Sequence, residues 1–84
     1  MYNVIFSKKA GKEFDKLEKI IQKRLVSVIK RIRIRPEAFV RKLVGGPYYR
    51  LRVGEYRVIL DIRKGELIIL VISIGHRRNI YKSL

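Results

Sequence analysis

Apolar positions along this chain recur first with a helical period and then with a period of two. Residues 2 to 6, YNVIF, read as a short strand. Ser7 stands where an N-cap hydroxyl belongs, and Ala10, Phe14 and Leu17 share one face of a helix predicted from Lys8 to Glu18. A second helix is predicted from Lys19 or Ile20 to Arg33. Its buried side carries Ile21, Leu25, Val28, Ile29 and Ile32, and Lys23, Lys30 and Arg31 fall on the other side. Pro36 bars further helix and biases Arg35 towards extended backbone.

A loop through Gly45, Gly46 and Pro47 separates this half from three predicted strands: Tyr48 to Val53, Tyr56 to Arg63 and Leu67 to Ile74. Gly54-Glu55 suits a two-residue type II′ turn with glycine first, and Lys64-Gly65 suits a second two-residue turn. The last strand, LIILVISI, is apolar on both faces, so it belongs inside a sheet. It is expected between the second hairpin strand and the N-terminal strand. The expected fold is α+β: an N-terminal strand, a two-helix hairpin and a three-stranded antiparallel meander, with the helices packed on one sheet face.

The first turn sets a register. With Gly54-Glu55 as the loop, Val53 pairs with Tyr56, Arg52 lies opposite Arg57, and Arg50 lies opposite Ile59. Residues two apart share a face, so Arg50, Arg52 and Arg57 project from one side. Tyr49, Leu51, Val53, Tyr56, Val58, Leu60 and Ile62 project from the other and meet the helices. Like charges directly across a ladder are destabilising. A phosphate between Arg52 and Arg57 converts that repulsion into a charge-assisted clamp. The third meander strand returns beside Arg57 and leads into Gly75-His76-Arg77-Arg78, so a basic site is expected at residues 50, 52, 57, 76, 77 and 81.

Composition narrows the chemistry. The 84 residues, 1–84, make one domain, and a chain of this size buries roughly two-thirds of its unfolded surface. Its 48% hydrophobic content is ample for a compact core. Without cysteine there is no disulfide framework or thiolate metal site. With one histidine and scattered acids, neither a zinc cluster nor an all-oxygen cation cage is expected, and no cofactor is called for. The 21 Lys and Arg against 7 Asp and Glu give a net charge of +14, which implies an anionic partner. The longest apolar run, Ile68 to Ile74, is too short to span a bilayer. Charge follows the first apolar residues rather than preceding them, unlike a signal peptide. The expectation is a cytoplasmic chain that engages no membrane.

Each basic group also has a plainer reading. An exposed strand arginine is often solvated charge, which holds for Arg50 and for Arg78 and Lys82. Tyr81 suits an anchor for the C-terminus, and His76 a surface histidine. The basic side of the second helix and its exit (Lys23, Arg24, Lys30, Arg31, Arg33, Arg35) reads as solvated surface or as a backbone-binding stripe. The charge excess favours the stripe. The Arg52/Arg57 pair is the exception, because folding alone gives no reason for it.

The run KLVGGPYYRLRVGEYRVIL followed by VISIGHRRNIY resembles the RelE/ParE toxin superfamily of toxin–antitoxin systems, over nearly the whole chain. The resemblance implies a RelE-like endoribonuclease that cuts messenger RNA in the ribosomal A site and so inhibits translation. It sets Arg50 and Arg52 at basic positions that hold and activate substrate. Arg57 and Arg77 fall at phosphate-clamping positions, and Tyr81 at a tyrosine tied to catalysis and base stacking. His76 falls at a basic position just before the motif arginine. It also implies a heteromeric complex with a cognate acidic, RelB-like antitoxin. Well-studied members carry lysine where Arg50 and Arg52 stand. A guanidinium does not readily surrender its proton, so the general base is open between His76 and Tyr81, and a catalytically weakened homologue stays in view. The rival on the same fold is a ParE-like, non-enzymatic gyrase inhibitor.

Without a metal, RNA is cut by attack of a ribose 2′-hydroxyl on its own phosphate. Arg52, Arg57 and Arg77 would stabilise the charge that develops on the phosphoryl oxygens. Histidine titrates ordinarily near about 6.5, which suits proton transfer. A ribosome that prepositions the RNA makes a weak acid–base set sufficient.

Overall fold

A computed structural model describes residues 1–76. Strand β1 (Asn3–Phe6) leads into helices α1 (Lys8–Asp15) and α2 (Lys19–Ile32). A single 3-10 turn, Pro36–Ala38, precedes strand β2 (Val40–Lys42). Strands β3 (Tyr49–Val53), β4 (Tyr56–Arg63) and β5 (Ile68–His76) complete the described chain. All five strands join one sheet in the order β1-β5-β4-β3-β2. β1 lies parallel to β5, and the remaining pairs are antiparallel. The expected class and the inner place of the last strand therefore hold.

Ser7 shows why α1 starts where it does. Its hydroxyl accepts from the Ala10 amide at 3.0 Å, which caps the helix. The same oxygen donates to the Ile72 carbonyl at 2.8 Å, which ties the cap to β5. α1 ends at Asp15, short of the predicted Glu18, because Lys16 to Glu18 form the link to α2. Below the helices lies one apolar cluster. Ala10, Leu25, Ile29 and Ile32 meet Leu51, Val53, Val58, Leu60, Ile69, Val71 and Ile74. Phe6 and Phe14 close its edge with an edge-to-face contact, 5.7 Å between centroids.

Three features depart from the sequence expectation. β2 is a further edge strand in a segment expected to be loop; only three residues long, it is too short to carry a periodic signal. The second hairpin loop spans Lys64 to Leu67 rather than Lys64-Gly65, since Arg63 pairs with Ile68. Leu67 closes it in the left-handed region at φ 55. The Leu67 carbonyl accepts from the Asn3 amide at 2.8 Å, a tie to β1 that the hairpin pattern does not contain. The shift is two residues, so the faces of β5 near the loop are preserved.

The third feature is a bulge. Ile59 pairs with Ser73 and Leu60 with Val71, which leaves Ile72 without a partner on β4. Val71 and Ile74, three apart, both face the core. The backbone groups freed by a bulge need partners. Ser7 Oγ serves the Ile72 carbonyl, and Glu13 Oε1 accepts from the Ile74 amide at 2.9 Å. Ser7→Ala removes the cap and the bulge donor together, so it is expected to cost about 1.5–3 kcal/mol. Urea melting checks this, and Ser7→Thr should lose much less.

Candidate nucleic-acid interface

The first hairpin forms as its turn requires. Gly54 has φ +59, while Glu55 stays at negative φ, the type II′ pattern. Val53 pairs with Tyr56, Arg52 with Arg57, and Arg50 with Ile59. β2 extends the face, because Arg41 pairs with Arg50. Two rows therefore cross the sheet on the side away from the helices. One runs Arg41, Arg50, Ile59, Ser73, and the other Arg52, Arg57, Gly75. Gly75 presents no side chain beside Arg57, which leaves room for the guanidinium.

Burial grades along this face. Arg57 is only 7% exposed, Arg50 is half-buried, and Arg41 and Arg52 are exposed. A nearly buried arginine is rare, and Ile59 and Ser73 are buried with it, outside the helix-side cluster. Ser73 Oγ has no hydrogen-bond partner among the described residues. Ion pairs of the described residues lie elsewhere, Arg63 with Asp61 at 3.2 Å and Lys64 with Glu37 at 3.5 Å. Arg41, Arg50 and Arg52 have no carboxylate at ion-pair distance among the described residues. Among the described residues, these three like charges stand close together with no carboxylate between them, an arrangement that an incoming anion relieves.

His76 is placed differently from the expectation. It pairs with Tyr56, and its ring meets the Tyr56 ring edge-on at 5.8 Å. Tyr56 also pairs with Val53 on the helix side, so His76 points to that side and Arg57 to the other. The bulge at Ile72 is the cause: one inserted residue exchanges the faces of every later position. Arg77, Arg78 and Tyr81 lie outside the described residues.

The basic groups of α2 are split as well. Lys23, Arg24, Lys30 and Arg31 are exposed on the helix layer, as is Arg35 beyond it. Arg33 is partly occupied, since its Nε donates to the Tyr2 carbonyl at 3.1 Å and its own carbonyl accepts from the Tyr2 amide. Arg24 reaches the first turn, where a Cβ added to Gly54 would stand 3.3 Å from its Nη1. Sequence reasoning missed Arg41 and Phe39, which line one pocket with Arg50 and Arg52.

An N-terminal strand and two helices set on an antiparallel-dominated sheet are the architecture of the RelE toxins, within the RelE/ParE superfamily. The family model for the ParE toxin of the type II toxin–antitoxin system, parDE, matches residues 4–81, and the chain belongs to that family. Solved structures agree. The intact RelBE toxin–antitoxin complex of E. coli contains a chain 30% identical, with TM-score 0.78 over 90% of this chain and 96% of that one. The archaeal RelE–RelB complex of Pyrococcus horikoshii matches at 29% identity and TM-score 0.79, over 90% and 94%. The isolated E. coli RelE toxin matches at 27% and 0.80, over 99% and 94%. No curated protein matches the sequence.

Proposed function

We propose that this toxin is a ribosome-dependent, metal-independent endoribonuclease that cuts messenger RNA through attack of the ribose 2′-hydroxyl. The observation that carries the reading is Arg52 directly opposite Arg57, with Arg50 on the same face. Arg57 is held nearly buried and Arg52 stands exposed. A phosphodiester seated between them gains two guanidinium donors, of which the nearly buried Arg57 costs little further ordering. By the resemblance, Arg77 adds a third donor and Tyr81 supplies proton transfer or stacks on a base. Arg52 orients the hydroxyl and does not deprotonate it. His76 drops out of the chemistry because it faces the other side of the sheet. Apart from Arg24, which reaches the first turn, the exposed charges of α2 lie on the helix layer away from the clamp, so they suit a separate contact with ribosomal RNA. An acidic antitoxin would neutralise the arginine face; five of the similar solved structures hold a RelE toxin with its RelB antitoxin or a RelB peptide.

Induced expression with mapping of messenger RNA 5′ ends tests the reading. Cleavage should be seen in wild type and His76→Ala, and lost in Arg57→Ala, Arg77→Ala and Tyr81→Phe. The purified protein should cut translated RNA far faster than naked RNA; equal rates would sink the proposal. A second reading rests on the family match itself: a ParE-like inhibitor of gyrase. It expects intact messenger RNA with gyrase trapped on DNA.

A further inference from the structure

One pocket on the arginine face is lined by Phe39, Arg41, Arg50 and Arg52 and encloses about 360 Å³. Its charged lining is entirely guanidinium. Arg41 and Arg50 are direct cross-strand partners, a second like-charge pair beside the Arg52/Arg57 pair. The ladder loses stability from each such pair. Phe39 leaves the 3-10 turn just before β2 and is 41% exposed. One position earlier than Val40, which pairs with Leu51, it stands at the level of Arg52. An exposed ring beside three arginines contributes little to the core, and it is absent from the cluster beneath the helices.

We propose that this pocket is a second nucleotide subsite for single-stranded RNA. Arg41 and Arg50 take the phosphate next to the one clamped by Arg52 and Arg57, and Phe39 stacks on the unpaired base between them. The chemistry fits the parts. Guanidinium pairs recognise phosphate with paired donors. An aromatic face accepts any base, so the subsite adds grip without demanding a sequence. Adjacent phosphates along a single strand are spaced within the reach of neighbouring residues on two paired strands. The arginine rows thereby become a track that crosses the sheet from β2 towards β4, with the more exposed residues towards the β2 edge and the buried Arg57 inward.

This subsite deepens the endoribonuclease reading and rests on it for its biological role, but its test is independent of cleavage. The probe is a short 2′-O-methyl oligoribonucleotide, which cannot be cut by 2′-hydroxyl attack. Its affinity for the intact protein is read by fluorescence anisotropy over a range of salt concentrations. Arg41→Ala is expected to lower the slope of log K against log salt by about 0.7, the loss of one single-strand phosphate contact. Phe39→Ala is expected to weaken binding roughly tenfold with an unchanged slope. An abasic nucleotide at one position of the probe should reproduce the Phe39→Ala loss and add nothing to it. Both side chains are exposed, so thermal melting should match the wild type or rise slightly for Arg41→Ala.

Wild-type affinity and slope in both variants overturn the subsite. So does a loss confined to binding of the acidic antitoxin, which assigns the pocket to a protein partner. The two readings fail separately. A toxin that cuts translated messenger RNA while its pocket variants bind the probe normally removes only the subsite. A toxin that binds the probe through Phe39 and Arg41 but never cuts removes only the nuclease reading.

Discussion

Arg57→Ala should reduce messenger RNA cleavage by about 100- to 1,000-fold, the loss expected when one preorganised electrostatic donor is removed from a developing oxyanion. Arg57 is the most buried arginine of the face, and its Cα partners are Arg52 on one side and Gly75 on the other. No neighbouring residue can take its place, because Arg50 and Arg52 already have their own positions in the rows. A sharper form of the same test is Arg52→Glu. That change turns the repulsive cross-strand pair into an attractive one, so it is expected to raise stability by about 0.5–1 kcal/mol. It should also abolish cleavage, because a carboxylate now competes for the guanidinium that the phosphate needs. Stability up and activity gone is the signature of a residue kept for its ligand. Stability down with activity retained would show that Arg52 serves the fold instead. The readouts are urea melting and mapped 5′ ends in translating cells.

Leu25→Ala should be the most damaging single change to the fold. Leu25 is wholly buried, and α2 sinks Leu25, Ile29 and Ile32 into the core with Ile21 and Val28 packed against it. Truncation costs the transfer free energy of the lost methyl groups plus the cavity they leave, about 3–5 kcal/mol. For a domain of this size each kcal/mol lowers the melting temperature by roughly 4–8 °C, so a fall of about 12 °C or more is expected. The neighbouring Val26 is 40% exposed, and Val26→Ala should lie within about 0.5 kcal/mol of wild type. A calorimetric scan of the three proteins decides this. Comparable melting of Leu25→Ala and Val26→Ala would contradict the packing described.

The parts of the site differ in how legible they were. Arg52 opposite Arg57 follows from a two-residue turn and a pleat of period two, both local properties of the hairpin. Ser7 announced the start of α1 for the same reason: a cap acts over three residues. Arg41 and Phe39 were invisible because β2 has no pattern of its own. Only pairing with β3 makes Val40–Lys42 a strand. His76 was misplaced because LIILVISI is apolar at nearly every position, so its alternation cannot show where a residue is inserted. The bulge is stabilised by Ser7 and Glu13, 65 and 61 residues away along the chain.

From the sequence alone came the order of the two helices and the four longer strands, the face shared by Arg50, Arg52 and Arg57, and the demand for an anionic partner, because turn register, side-chain alternation and net charge need no distant contact. The tertiary structure alone decided which way His76 points, how deeply Arg57 sits and that Phe39 and Arg41 join the arginines. The first depends on a bulge whose backbone is satisfied by Ser7 and Glu13 from far along the chain, and the last on an edge strand that exists only where Val40–Lys42 pairs with β3.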